Sequence, residues 1–179
     1  MARHDRKSLR PAGLALCAAL AGIGLAPPVM AQQVGAVGAV NPASQAVSRG
    51  SVRVLELGAP IIHDEHLRTS AAGSLQVVFV DKTTLSIGPS SEVTIDSFVY
   101  DPLRGTGSMA ATLAKGVLRI VGGSVTHTGG ATVSTPFATI GLRGGIATVS
   151  HSPRFGTQAV DGFGTLTVAS KGLPGRAAQ

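Results

Sequence analysis

Residues 75–102 read LQVVFVDKTTLSIGPSSEVTIDSFVYDP, and this stretch decides the fold. Residues 75–80 (LQVVFV) are a dense apolar run, which predicts a strand buried on both faces. In residues 84–88 (TLSIG), Leu85 and Ile87 alternate with polar neighbours and share one face. In residues 93–99 (VTIDSFV), strict alternation puts Val93, Ile95, Ser97 and Val99 together and turns Phe98 and Tyr100 to the other side. Twelve of the 25 residues 75–99 are Val, Ile, Thr or Phe, side chains that fit a pleated surface better than a helix. Asp81-Lys82 and Gly88-Pro89-Ser90-Ser91 are turns between these runs.

The same reading extends outward in both directions. Upstream, residues 52–57 (VRVLEL) alternate, and residues 32–48 form an Ala/Val/Gly-rich leader or edge strand. Downstream, strands are expected at 117–121, 132–134, 138–140, 146–149 and 165–168, separated by glycine-marked turns at 105–107, 116, 122–123 and 129–130. Residues 108–115 (SMAATLAK) tolerate either a helical turn or a strand. About ten short strands with glycine turns indicate an all-β fold, a sandwich, barrel or solenoid. The tail from Lys171 (KGLPGRAAQ) is expected to be disordered.

The first 31 residues read as an address. Arg3, Arg6, Lys7 and Arg10 precede an uncharged run from Ala12 to Ala26, and Val29-Met30-Ala31 offers a small-residue cut. This is the pattern of a cleavable signal peptide, with cleavage expected after Ala31. The apolar run is short for a membrane span, and Cys17 lies inside it without the surroundings of a lipid site. Removing the leader takes away four basic residues and one acidic residue. The 15 Lys+Arg and 9 Asp+Glu become 11 and 8, a net charge of +3. The remaining basic residues are scattered, which argues against a nucleic-acid partner. The mature chain has no cysteine and uses no disulfides. There is no GxxxxGK[ST], CxxC, HExxH or GxSxG motif, so the commonest nucleotide, zinc and hydrolase signatures are absent.

Five ordered pieces of this sequence resemble the FecR-type domain, a periplasmic module named for an iron-dicitrate sensor. They are SVRVLELGAPI (51–61), LRTSAAGS (67–74), the stretch 75–102, LAKGVLRIVGG (113–123) and TPFATIGLRGG (135–145). Together they span about residues 48–150. Two positions depart from the pattern: Lys82 stands where the family has the glycine of an Asp-Gly-Thr turn, and Gly145 stands where its closing motif has threonine. The region after Ile146 is shorter than the resemblance leads one to expect. The resemblance implies an all-β, solenoid-like or twisted sandwich wrap over 48–170 and a non-catalytic role, with no cofactor. In the founding sensors the domain lies outside a membrane helix, with a sigma-factor-regulating domain inside. Neither companion is read in this sequence, so transmembrane signalling is not carried over.

Four groups of residues carry the candidate chemistry. His63-Asp64-Glu65-His66 is the densest set of potential metal ligands, although in a strand His63 and His66 point to opposite faces and the segment otherwise reads as a polar turn. Arg143, set between Gly141 and Gly144-Gly145, can present a guanidinium to a carboxylate or phosphate, or pair with a carboxylate of its own domain. Phe98 and Tyr100 are expected to be half-exposed and to offer a contact patch or a cover for the sheet. His127, His151 and the serines lack an identifiable third group for a triad. The expectation is an exported, non-catalytic envelope module, periplasmic or secreted, that binds a protein or glycan through Phe98, Tyr100 and Arg143. The alternatives are a self-associating structural component of a surface assembly and a metal-binding module at 63–66.

Overall fold

The computed structural model describes residues 32–41, 44–48 and 50–172. The leader with Cys17, the expected cut after Ala31 and the tail beyond Gly172 lie outside the described residues. The elements in chain order are β1 (Gln33–Val40), β2 (Ser44–Ser48), β3 (Ser51–Val54), β4 (Pro60–Ile62), β5 (His66–Thr69), β6 (Leu75–Phe79), β7 (Thr84–Ile87), β8 (Glu92–Asp101) and β9 (Thr106–Val121). A short helix, α1 (Ser124–Thr128), precedes β10 (Ala131–Ser134), β11 (Ala138–Ser152) and β12 (Gly156–Ser170). The all-β expectation holds, but the solenoid-like or twisted sandwich wrap is corrected: the strands form one open, curled sheet. Every described pairing is antiparallel except β9 with β10.

The spine of the sheet runs β3-β2-β5-β8-β9-β7-β6-β1-β4. It curls because β9 changes neighbours along its length. Residues 106–115 pair with β8, residues 116–121 pair with β11, and residues 118–121 pair also with β7. The change falls at Gly116, whose φ of +98° is left-handed. A Cβ there would sit 2.5 Å from the Cα of Ser91, so only glycine lets the β8 turn approach. The ambiguous segment 108–115 is therefore strand. It is held on both sides, by β8 and by β10.

Alternation sets the core, with one correction. β6 buries Leu75, Val77 and Phe79, whereas Val78 is 38 % exposed and Val80 59 %. The dense run 75–80 thus covers one face and not two, because the sheet is a single curled layer whose outer face meets solvent. The segment 32–48 also differs from a leader or edge strand: β1 is paired on both sides, with β4 and β6, and buries Val34 and Val37. Lys171, the first residue of the expected tail, is still tied back, its N–H to Phe137 O at 2.8 Å and its Nζ to Thr135 O at 2.9 Å.

The turn at 81–83 links distant parts of the chain. The buried Asp81 carboxylate accepts from Thr83 N (2.9 Å), Thr83 Oγ1 (2.6 Å) and Val125 N (2.9 Å), and so caps α1 from 44 residues away. Lys82 at the tip is held at φ +73°. A side chain in that region costs about 1–2 kcal/mol, against the smaller unfolded-state entropy that glycine would add. Lys82→Gly is expected to stabilise the fold by about 0.5–1 kcal/mol, a rise in Tm of roughly 2–5 °C in a thermal melt.

Candidate functional site

The outer face of β10, β11 and β12 carries a shallow depression of about 160 Å³. Period-two alternation builds it. Val133 and Ile140 turn inward with Ala131 and Leu142, which leaves Thr132, Gly141 and Arg143 facing out. The register sets Thr132 opposite Gly141, Gly141 opposite Thr167, and Arg143 opposite Thr165. Gly141 forms the floor, and a Cβ there would lie 2.6 Å from Thr167 Oγ1. The Thr167 hydroxyl donates to Gly141 O at 3.3 Å. Arg143 is exposed and makes no hydrogen bond or ion pair among the described residues, so the intradomain carboxylate partner is not found there. One free guanidinium beside three threonine hydroxyls can take a carboxylate or phosphate in two parallel hydrogen bonds and a neighbouring hydroxyl in others.

The histidine–carboxylate tetrad is not assembled. His63 Nδ1 and the Asp64 carboxylate pair at 3.0 Å on the surface. Glu65 is fully buried and is taken up by Arg53, whose Nη2 lies 2.8 Å from Oε1 and 3.0 Å from Oε2, and by Ile62 N at 3.1 Å. Arg53 also donates to Pro60 O. His66 Nδ1 meets Thr94 Oγ1 at 2.8 Å on β8. Burial, reinforced by Arg68, holds the His66 imidazole below its usual range, with Glu92 opposing. Among the described residues no group of three or more His, Cys, Asp or Glu converges as metal ligands would. The metal reading of 63–66 fails because the chain turns at Asp64 (φ +59°) and sends the side chains to separate partners.

Phe98 is corrected from half-exposed to buried. It is 4 % exposed and stacked on Phe79 with ring centroids 4.8 Å apart. The reason is a bulge: Ile95 opposes Ala111 and Ser97 opposes Ala110, so Asp96 is an extra residue on β8. The alternation shifts by one there, sending Phe98 into the core and Val99 out at 62 % exposure. Tyr100 is half-buried against the core on β8, whereas Arg143 is exposed on β11, a strand that does not pair with β8. His127 is exposed on α1, whereas His151 is buried with Nδ1 3.0 Å from Thr157 Oγ1. Neither histidine is hydrogen-bonded to a serine among the described residues.

Thr132, Thr165 and Thr167 escaped sequence reasoning. Each is an ordinary outward residue of a strand, and only the β10–β11–β12 register gathers them round Arg143. The signal available was the outward phase of Gly141 and Arg143 between the inward Ile140 and Leu142.

The model of the family described as FecR protein matches residues 65–162. No curated protein matches the chain. A solved structure described as a cell surface anchoring domain is 34 % identical over 35 % of this chain and 84 % of that chain, with a TM-score of 0.34. The family match runs from β5 into β12 and takes in the capped turn, the bent β9 and the whole of β11, and on that extent this chain belongs to the FecR protein family.

Proposed function

We propose that this chain is an exported, non-catalytic FecR module that binds a carboxylate- or phosphate-bearing partner, protein or glycan, in the cell envelope. The observation that carries the reading is Arg143, without a hydrogen-bond or ion-pair partner among the described residues, in a hydroxyl-lined depression on the outer face of the sheet. Membership of the FecR family supports a binding or sensing role, and the leader sequence supports export. Among the described residues no helix is long and apolar enough to cross a membrane.

The test is crosslinking of the tagged full-length protein in its native cells, followed by mass spectrometry of what is captured. The same sample reports where the mature chain starts, expected at Gln32. An envelope component captured by the wild type and lost with Arg143→Ala, at an unchanged melting midpoint, is the expected result. Equal capture by the variant rules out the Arg143 site. A chain that keeps its leader rules out the expected cleavage after Ala31.

A further inference from the structure

The curled sheet ends on β12, and that edge differs from the other ends of the spine. β3 and β4 end the spine with four and three residues. β12 runs for 15 residues and pairs, among the described residues, with β11 alone. Its second half, residues 164–170 (GTLTVAS), contains neither charge nor proline. Natural sheets blunt their edges with charge, proline or shortness, and none of these is present here.

The register shows what the edge lacks. Met109, Ala131, Leu142 and Leu166 stand in one row across β9, β10, β11 and β12. Ala111, Val133, Ile140 and Val168 form the next. Directly opposed residues share a face, so both rows belong to the core side of the sheet. The first three members of each row are buried, yet Leu166 is half-buried and Val168 is 60 % exposed. The apolar layer stops one strand short of its cover.

We propose that a second copy of this chain supplies that cover, with the two β12 strands paired antiparallel about a two-fold axis at Thr167. In that register Leu166 of each copy opposes Val168 of the other, Thr165 opposes Ala169, and Thr167 opposes its own counterpart. A two-fold axis perpendicular to the sheet keeps both core faces on the same side, so the two apolar rows continue across the interface. The end charges agree with this orientation. Lys171 of one copy comes opposite position 163 of the other, two residues from Asp161, whereas parallel in-register pairing would set Asp161 against Asp161. The edge is thus self-complementary in face, side-chain size and charge, which favours a second copy over an unrelated strand. The contact uses the same edge of both copies and closes at two.

A seven-residue edge contact is smaller than the standard interface of about 1,600 Å², so a dissociation constant in the micromolar range is expected. Sedimentation velocity of the processed protein across that range is expected to show a monomer–dimer equilibrium. Val168→Lys, which puts a charge on the apolar face of the edge, is expected to weaken the dimer at least roughly tenfold without moving the melting midpoint of the dilute monomer. Thr167→Cys, in a chain carrying Cys17→Ser, provides a second measurement. Opposed residues in an antiparallel pair have Cα atoms about 4.5–5.5 Å apart, within disulfide reach, so mild oxidation is expected to give a covalent dimer. Val99→Cys, exposed elsewhere on the sheet, serves as the control. A protein that stays monomeric, with Thr167→Cys crosslinking no faster than Val99→Cys, overturns the proposal. So does concentration-dependent growth beyond two, or capture of a different protein at Thr167→Cys in place of the homodimer.

Discussion

Gly145→Thr, which places the threonine of the FecR closing motif into this chain, is expected to destabilise it by about 2–5 kcal/mol. Gly145 lies at the corner of β11 with φ +70°. A Cβ there would stand 1.5 Å from the carbonyl oxygen of Phe163 and 2.3 Å from its carbon. The residue cannot retreat, because its own carbonyl accepts from Gly122 N at 2.8 Å on the opposite side. Steric conflict with backbone on one side and an anchored hydrogen bond on the other leave one inexpensive escape, which is for β12 to peel away. The two contributions are the left-handed conformation, about 1–2 kcal/mol, and overpacking, about 1–3 kcal/mol. A thermal melt should show Tm lower by roughly 5–15 °C, and limited proteolysis should cut first within residues 156–170. Gly145→Ala should cost nearly as much, since the first added atom does the damage. A threonine variant that melts within a few degrees of the wild type would show that β12 does not pack against this corner.

That corner also marks how far the sequence could be read. The strands were legible wherever alternation ran undisturbed: Leu85 and Ile87 in β7, Val93 and Ile95 at the start of β8, Ile140 and Leu142 in β11 are all buried as their phase requires. Legibility ended where one residue slipped the phase. The bulge at Asp96 inverted Phe98 and Val99, and no composition rule marks a bulge that carries no glycine. Gly116 was readable as a turn, and Gly144-Gly145 lay in the gap between the strands expected at 138–140 and 146–149, but here they bend continuous strands, because a left-handed residue can turn a ladder without ending it. The depression round Arg143 was half legible. The arginine and the bare Gly141 are local features, while Thr132, Thr165 and Thr167 come from strands whose order no local pattern encodes. The pairing of the buried Glu65 with the part-exposed Arg53 was invisible for the same reason: it joins a strand to a segment 12 residues on, and it turns a residue of an apparent metal cluster into a structural anchor.

Asp81→Ala is expected to lower stability by about 3–5 kcal/mol without touching any apolar contact of the core. The carboxylate is 2 % exposed and satisfies three donors: Thr83 N, Thr83 Oγ1 and Val125 N. Alanine leaves all three short of their acceptor in a place water does not readily reach, and each such group costs about 1–3 kcal/mol, less than additively because α1 can relax. The turn would keep one link to the helix, since Ser124 N donates to the backbone carbonyl of Asp81 at 3.2 Å. The loss should therefore be graded by residue. Amide exchange should rise first at Val125 and along α1, then at Gly123, whose N–H rests on the Thr83 hydroxyl that Asp81 orients. Asp81→Asn keeps one carbonyl oxygen and should cost about half as much, with α1 retained. Equal losses for both variants, or unchanged protection of α1 in either, would mean that the helix is held by packing of Val125 and not by the carboxylate. The expected gradation makes the Asp-Lys-Thr turn a clasp between the β6–β7 hairpin and the β9–β10 connection. It also explains why the strained Lys82 is tolerated at its tip: the carboxylate beside it fixes the turn from both ends.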